Sequence, residues 1–437
     1  MFCCLIHDVV FEMCRLSLGT RATEGLTLYV PTTQSQDKKK GSVSEKKSGK
    51  EASNASIEDS SLLLMPLQRD AILGLPLFSN HETLVYSSVL MMIVMLAYTI
   101  LGYCMGVVPF SSPALLLSCA VVFTTLGSLT GVSILSNMTS SDDKIYSYFF
   151  SSVGFIACVA CFAMEPSNVF SWSPNAAAEA AASLLRHFVE TAFRRSSIEV
   201  SSSKLDMIQS PSSAVGILFA LLGAWVTAVF YLPAVRFVRA FHLQLSPPGY
   251  AQKQLKPFRL GSTRLRLEMI LPMALPLLYV IPFVRDLAGL SGNVLILTRA
   301  VSLLGCGLLF IFNTRLLVCR YLETVLISWY TMKHGYYKTK LEKIAAYSIV
   351  KANADVVQVT VMKATIQAFA PGILYLACGL SILGSYFFNA LYNDPGSGYV
   401  SEFVDHSVGF LVSSIGITWF IICGFCLWLF RTGTLVH

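Results

Sequence analysis

The residues that could most clearly take part in binding or chemistry are charged side chains and prolines inside apolar runs. Arg299 lies within the apolar stretch NVLILTRAVSLL. A charge at membrane depth is costly, so an intramembrane arginine is a functional hypothesis by default. Arg299 also lies about a turn and a half from the end of its run, so snorkelling to the interface is an alternative. Arg285 and Asp286 lie across a short loop, and Asp286 is a candidate partner of Arg299.

Prolines interrupt one apolar run at Pro272, Pro276 and Pro282. Proline has no N–H to donate, so each one frees a carbonyl one turn back, near Glu268, Pro272 and Leu278. Broken helices line substrate sites in many transporters. Kinks that serve only helix packing are at least as frequent. A site at this run and a purely structural kink both remain open.

Enzymatic motifs are missing from the sequence. It contains no HExxH, GxSxG or Walker A pattern, and no histidine lies within an apolar run. Two cysteine pairs with redox-like spacing, Cys158 with Cys161 and Cys423 with Cys426, lie inside apolar runs, where burial disfavours the reactive thiolate. We therefore predict no catalytic residues, no metal site and no cofactor.

The composition indicates which solvent surrounds these residues. Apolar residues make up 54% of the 437 residues and charged residues only 13%, against about 45–50% and about 25% in soluble proteins. So few charges could hardly cover a soluble surface of this size. The composition argues against a secreted disulfide scaffold, a nucleic-acid binder or a disordered chain, and the predicted surroundings are the lipid bilayer.

Eight apolar runs approach the roughly 20 residues that a membrane-spanning helix needs. Backbone groups in hydrocarbon must be satisfied internally, so the predicted fold is an all-α polytopic transmembrane helix bundle. Gly127 and Gly131 form a GxxxG pattern, which allows close helix packing. The predicted spans lie near residues 84–108, 113–135, 146–164, 214–234, 269–284, 294–317, 364–386 and 408–430.

Basic residues predict the orientation of these spans. Residues 236–267 are rich in Lys and Arg, and a second basic stretch follows span six, so both should be cytosolic. Residues 389–407 contain neither Lys nor Arg and should face the opposite side. Residues 1–83 are predicted to be a mostly disordered, basic and Ser-rich cytosolic tail, and residues 84–431 the transmembrane domain.

Two helices are predicted outside the spans. Residues 173–195 form an amphipathic pattern with Ser173 as N-cap and Pro174 at the first helical position. This helix could lie in the membrane interface or pack against the bundle's own loops. Residues 338–367 predict a long cytosolic helix that merges into span seven and ends at a break made by Pro371 and Gly372.

The order and spacing of several stretches carry a family resemblance. The stretches are GILFALLGAWVTAVFYLPAVRFVRA, PLLYVIPFVRDL, LLFIFNTRLLVCRYL and QAFAPGILYL. From about residue 83 to the end, the chain resembles the transmembrane protein 161 family of eukaryotes. Family members usually begin with an apolar segment, whereas residues 1–18 here are interrupted by acids. The matched positions are Pro233, Arg236, Arg285, Asp286, Thr314, Arg315, Tyr321, Leu322 and Pro371.

The resemblance implies a role without defining a catalytic site. Members of that family are multipass membrane proteins associated with protection against oxidative stress and with modulation of ion currents. It implies a non-enzymatic regulator or accessory of ion transport or stress response, acting through helix association with other membrane proteins such as channels. The alternative is a transporter or channel with its site near span five and Arg299.

Overall fold

The chain is helical in nearly all of the part that the structure describes. This computed structural model describes residues 27–32, 61–66, 77–105, 112–135, 141–163, 169–195, 212–245, 259–281, 292–334, 340–392 and 395–432. The exception is an antiparallel ribbon of strands β1 (Thr27–Thr32) and β2 (Ser61–Pro66), in which Thr27 is opposite Pro66. The rest of the predicted tail up to residue 76 lies outside the described residues.

Nine α-helices follow the ribbon within the described ranges. A π-helical turn, Gly131–Leu135, continues α2, and a 3-10 turn, Leu275–Tyr279, follows α6. The helices are α1 (Phe78–Met105), α2 (Ser112–Thr130), α3 (Ser141–Ala163), α4 (Pro174–Arg195), α5 (Ser212–Leu245), α6 (Arg259–Ala274), α7 (Gly292–His334), α8 (Lys340–Tyr392) and α9 (Pro395–Arg431).

Seven of the described helices have the length and apolar character needed to cross a bilayer, namely α1, α2, α3, α5, α7, α8 and α9. This confirms the all-α bundle of an integral multipass membrane protein and corrects the predicted number of eight spans. The predicted span at residues 269–284 is not among the seven. The prolines limit the length of regular α-helix in this stretch. Pro272 lies near the end of α6, Pro276 lies at the start of the 3-10 turn, and the backbone of Val280 is extended.

Glycines bring α7 and α8 into close contact, and these two helices form the most extensive helix pair. A Cβ on Gly307 would lie 2.8 Å from the Gly372 carbonyl oxygen, and one on Gly372 would lie 2.9 Å from that of Gly307. The prediction that the helix ends at Pro371 and Gly372 is wrong, because α8 continues to Tyr392. Close packing by neighbouring helices allows a transmembrane helix to retain a proline.

The GxxxG pattern of α2 is not used for packing within the described part of the chain. A Cβ on Gly127 or Gly131 would meet no other atom within 4 Å. By contrast, a Cβ on Gly154 of α3 would overlap the Thr227 side chain of α5. The space at Gly127 and Gly131 is therefore open among the described residues, although Trp225 of α5 lies near Phe123 and donates to Thr130 Oγ1 beside it. The glycine at the α3–α5 contact, in contrast, has its space occupied by Thr227.

Helix α4 combines a packed first half with exposed apolar side chains further along. Ser173 caps it as predicted, because its Oγ accepts a hydrogen bond from the Ala176 amide at 3.0 Å. The buried positions in its first half are Pro174 and alanines, including Ala177 and Ala178, and the helix packs on α9 and α5. Leu185 and Phe188 are about half exposed. The first half thus packs on helices of the bundle rather than on its loops, and the interfacial position of the second half stays a prediction.

Candidate functional site

Arg299 is buried among protein groups and pairs with an acid from another helix. Its side chain is 3% exposed, and its Nη1 donates to both carboxylate oxygens of Asp405 on α9 at 2.8 Å. The predicted partner Asp286 lies outside the described residues, and the partner seen is Asp405. The buried guanidinium also does not snorkel. Asp405 falls in a stretch predicted to be a loop, whereas α9 already begins at Pro395.

The other donors of Arg299 bind irregular backbone and a serine. Its Nε donates to the Leu278 carbonyl oxygen at 3.1 Å, and its Nη2 donates to Ser171 Oγ at 2.8 Å. The guanidinium carbon lies 4.2 Å from the centroid of the Tyr279 ring, within cation–π range. Leu278 is one of the carbonyls that the prolines were predicted to free, since Pro282 cannot donate to it.

Residues 169–173 are held against the end of the proline-rich segment, by which we mean residues 268–281 with Pro272 and Pro276. The Ser171 amide donates to the Tyr279 carbonyl at 2.7 Å, and the Ile281 amide donates to the Val169 carbonyl at 2.9 Å. These bonds flank an antiparallel bridge between Phe170 and Val280. We name Arg299, Asp405, Ser171 and Tyr279 the arginine clamp. It joins two irregular segments to α7 and α9, and this arrangement is typical of a structural role.

A tryptophan beside the clamp provides a testable contact with α9. Trp172 is buried, and its Nε1 donates to Ser413 Oγ at 3.0 Å. We expect Trp172→Phe to lower the free energy of unfolding by about 1–2 kcal/mol, because it removes this bond and leaves the buried hydroxyl without its donor. Thermal unfolding in detergent would measure the loss. Trp428→Phe, at a residue that is 58% exposed, is the control and should change little.

A second buried polar cluster joins α5, α8 and the π-helical turn after α2. Arg236 Nη1 donates to Gln367 Oε1 at 2.7 Å, and Gln367 Nε2 donates to Ser133 Oγ at 2.8 Å. Gln367 and Ser133 are buried. The Gln367 side-chain amide thus links the Arg236 guanidinium to the Ser133 hydroxyl. π-helical turns occur frequently at functional sites, so the placement of Ser133 in one adds interest to this cluster.

Glu268 on α6 is a buried carboxyl, outside the seven apolar helices. Its exposed fraction is 0%, and neither carboxyl oxygen has a hydrogen-bond partner among the described residues. Burial raises the pKa of Glu268 well above its usual range, and the nearby Asn313 amide opposes this in part. That amide nitrogen nevertheless does not reach hydrogen-bonding geometry. Glu268 lies near Asn313, whereas Leu278, later in the chain, accepts a hydrogen bond from Arg299, which comes earlier on α7. The stretch from Glu268 to Leu278 therefore runs antiparallel to α7.

The other predicted site residues that the structure describes do not join these clusters. Arg315 is exposed on α7, about 24 Å along the helix axis from Arg299 at a rise of about 1.5 Å per residue. The Pro276 ring fills the space that a Cβ on Gly416 would occupy. Pro371 is buried within α8. Arg285, Asp286 and Pro282 lie outside the described residues.

Sequence reasoning missed the polar residues that complete both clusters. Asp405 and Ser171 had no local signal, because each meets its partner across a long stretch of chain. Gln367 lay at the boundary between the predicted cytosolic helix and span seven, so its burial was not foreseen. The described residues contain no group of three or more His, Cys, Asp or Glu side chains placed to hold a metal ion.

Comparison with family models, with curated proteins and with solved structures finds no match to this chain.

Proposed function

We propose that this chain is a non-enzymatic multipass membrane protein of the transmembrane protein 161 type that regulates ion transport by binding other membrane proteins through helix contacts. The observation that carries the proposal is the open glycine face of α2. Small residues let transmembrane helices approach closely, and association in lipid depends on such packing because lipid tails are as apolar as leucine.

The contrast with the glycines inside the bundle supports this role. Gly307 and Gly372 meet each other across the α7–α8 contact, whereas a Cβ on Gly127 or Gly131 meets nothing within 4 Å. Phe123, one turn before Gly127, is 53% exposed, with its ring centroid 6.0 Å from that of Trp225 on α5. A partner helix could therefore reach the backbone of α2 and pack against an aromatic side chain beside it.

The test separates partner binding from the stability of the bundle. The double variant Gly127→Leu and Gly131→Leu adds bulk to the open face, where the first added carbon at each position meets no described atom within 4 Å. In cells in which the wild-type chain alters a whole-cell ion current, we expect the double variant to lose that effect at equal expression. Gly424→Leu is the matched control, since Gly424 is also exposed with open space around it. Unchanged regulation by the double variant would contradict the proposal.

Transport by the chain itself is the second candidate. The buried Glu268 on a proline-interrupted segment favours it, because discontinuous helices and buried ionisable groups occur along transport paths. The arginine clamp adds no support, since the donors of Arg299 described above are already engaged. Purified protein in liposomes should move no ion if the chain is only an accessory. Flux by the purified chain would support transport instead.

A further inference from the structure

Glu268 is an ionisable group without the partners that usually accompany buried charge. Both of its carboxyl oxygens are inaccessible to solvent and lack a hydrogen bond to any described residue. Its main-chain carbonyl is also deprived of the usual helical donor, because residue 272 is proline. Glu268 therefore combines two buried carboxyl oxygens that lack donors among the described residues with a main-chain carbonyl whose usual helical donor is replaced by proline.

The groups that face Glu268 do not include a cation bound to it. Asn313, Cys306 and Tyr321 of α7 are the polar neighbours that interact with it. Beyond Tyr321 lie Arg236 of α5 and Cys423 of α9.

The cation named among these groups, Arg236, has another partner. Arg236 donates to Gln367 and is thereby held toward α8. An isolated carboxylate buried without compensation costs far more than the neutral acid, so such a group takes up a proton instead.

We propose that Glu268 is an exchangeable proton-binding site of the helix bundle. Its carboxyl oxygen holds a proton in the packed arrangement. When α6 moves enough to admit water, the O–H bond breaks, the proton passes to a water molecule and a hydrated carboxylate remains. This inference deepens the transport candidate, for which the proton is then the transported or coupling ion, and does not depend on the accessory role.

The interrupted segment around Glu268 suits such a movement. Pro272 and Pro276 remove two hydrogen bonds of a continuous helix within eight residues of Glu268. The end of the segment is held instead by the Phe170–Val280 bridge and by the bond from Arg299 to Leu278. A segment that lacks two helical hydrogen bonds and is held at its end by other elements can shift as a unit while the seven apolar helices stay in place.

Dicyclohexylcarbodiimide is the direct probe, because this apolar reagent reacts with protonated carboxyls by adding the acid O–H across its C=N bond. The full-length protein in liposomes is treated in a series of buffers from mildly acidic to alkaline, and modified peptides are identified by mass spectrometry. We expect modification at Glu268 that decreases as the pH rises. The exposed Glu179 is the internal control and should remain unmodified. Absence of modification at Glu268, or modification independent of pH, would overturn the proposal.

A second measurement uses Glu268→Gln, which keeps the shape and removes the titration. The folded state retains a proton that the unfolded chain has released, so the wild type loses stability as pH rises from the unfolded pKa of about 4.3 toward the raised folded pKa. The ratio of the unfolding constants of wild type and variant should rise up to tenfold per pH unit across that window. Glu179→Gln should follow the wild type.

Parallel pH profiles of wild type and Glu268→Gln would refute the site. A variant that fails to fold leaves the carbodiimide experiment as the deciding one. Liposome flux is scored separately from both measurements. A titrating Glu268 without proton flux would retain the proton site and eliminate transport, whereas flux without titration would eliminate the proton site alone.

Discussion

Asp405→Ala is expected to lower the free energy of unfolding by about 3 kcal/mol. The variant leaves the Arg299 guanidinium, which is 3% exposed, without its bidentate acceptor. Removing one partner of a buried ion pair costs about 3–5 kcal/mol, because the remaining charge is uncompensated. The Asp405 side chain is 33% exposed, so we expect the lower end of that range. Thermal and denaturant unfolding in detergent would measure it.

A double variant distinguishes an uncompensated charge from lost packing. Arg299→Met combined with Asp405→Leu removes both charges and should recover most of the stability, since apolar replacements of buried ion pairs are often neutral or stabilising. Glu402→Ala, one turn earlier on α9 and exposed, is the control and should lie within about 0.5 kcal/mol of wild type. If the double variant were no more stable than Asp405→Ala, the ionic account of the clamp would be wrong.

Gly307→Leu should also destabilise the bundle, by about 2–3 kcal/mol. A Cβ at this position lies 2.8 Å from the Gly372 carbonyl oxygen and 2.7 Å from Leu376 Cγ. Overpacking of a filled interior typically costs about 1–3 kcal/mol through backbone shifts and strained rotamers. The backbone oxygen of Gly372 cannot turn aside as a flexible side chain could, so the upper part of that range is expected. Unfolding in detergent at constant protein and detergent concentrations provides the measurement.

Gly305→Leu is the matched control for this contact. Gly305 lies on the same helix two residues away, is exposed, and has nothing within 4 Å of its ideal Cβ. Both substitutions add the same side chain and raise helix propensity equally. The difference between them therefore isolates the α7–α8 contact. Equal stability of the two variants would mean that this close approach contributes nothing.

The predictions for Asp405→Ala and Gly307→Leu concern two different contacts of the same helix, α7. The arginine clamp fastens residues 169–173 and the proline-rich segment to α7 and α9, whereas the glycine contact holds α7 against α8. Glu268 lies on the proline-rich segment, between the clamp and the second polar cluster. A weakened clamp should therefore also expose Glu268 to water, so Asp405→Ala should shift carbodiimide modification of Glu268 to a narrower, more acidic pH range.

The amino-acid sequence by itself determined the helical membrane architecture. Long apolar runs in hydrocarbon must satisfy their own backbone, and only local composition is needed to recognise them. The prolines of residues 272–282 also predicted freed carbonyls, because the missing N–H is a property of the residue itself. The Leu278 carbonyl accepts a hydrogen bond from Arg299, and its release by Pro282 stays a prediction because Pro282 lies outside the described residues. The intramembrane charge of Arg299 was recognisable for the same reason.

Partners and close contacts were decided only by the tertiary structure. Arg299 meets Asp405 across 106 residues of chain, and no local pattern favours that acid over the nearby Asp286. Gly307 and Gly372 are packing glycines, whereas the more conspicuous GxxxG of α2 is open. Helix α8 also passes through Pro371, where local chemistry predicted a break, because surrounding helices hold it. Such contacts depend on which helices become neighbours, and that is a property of the whole assembled bundle.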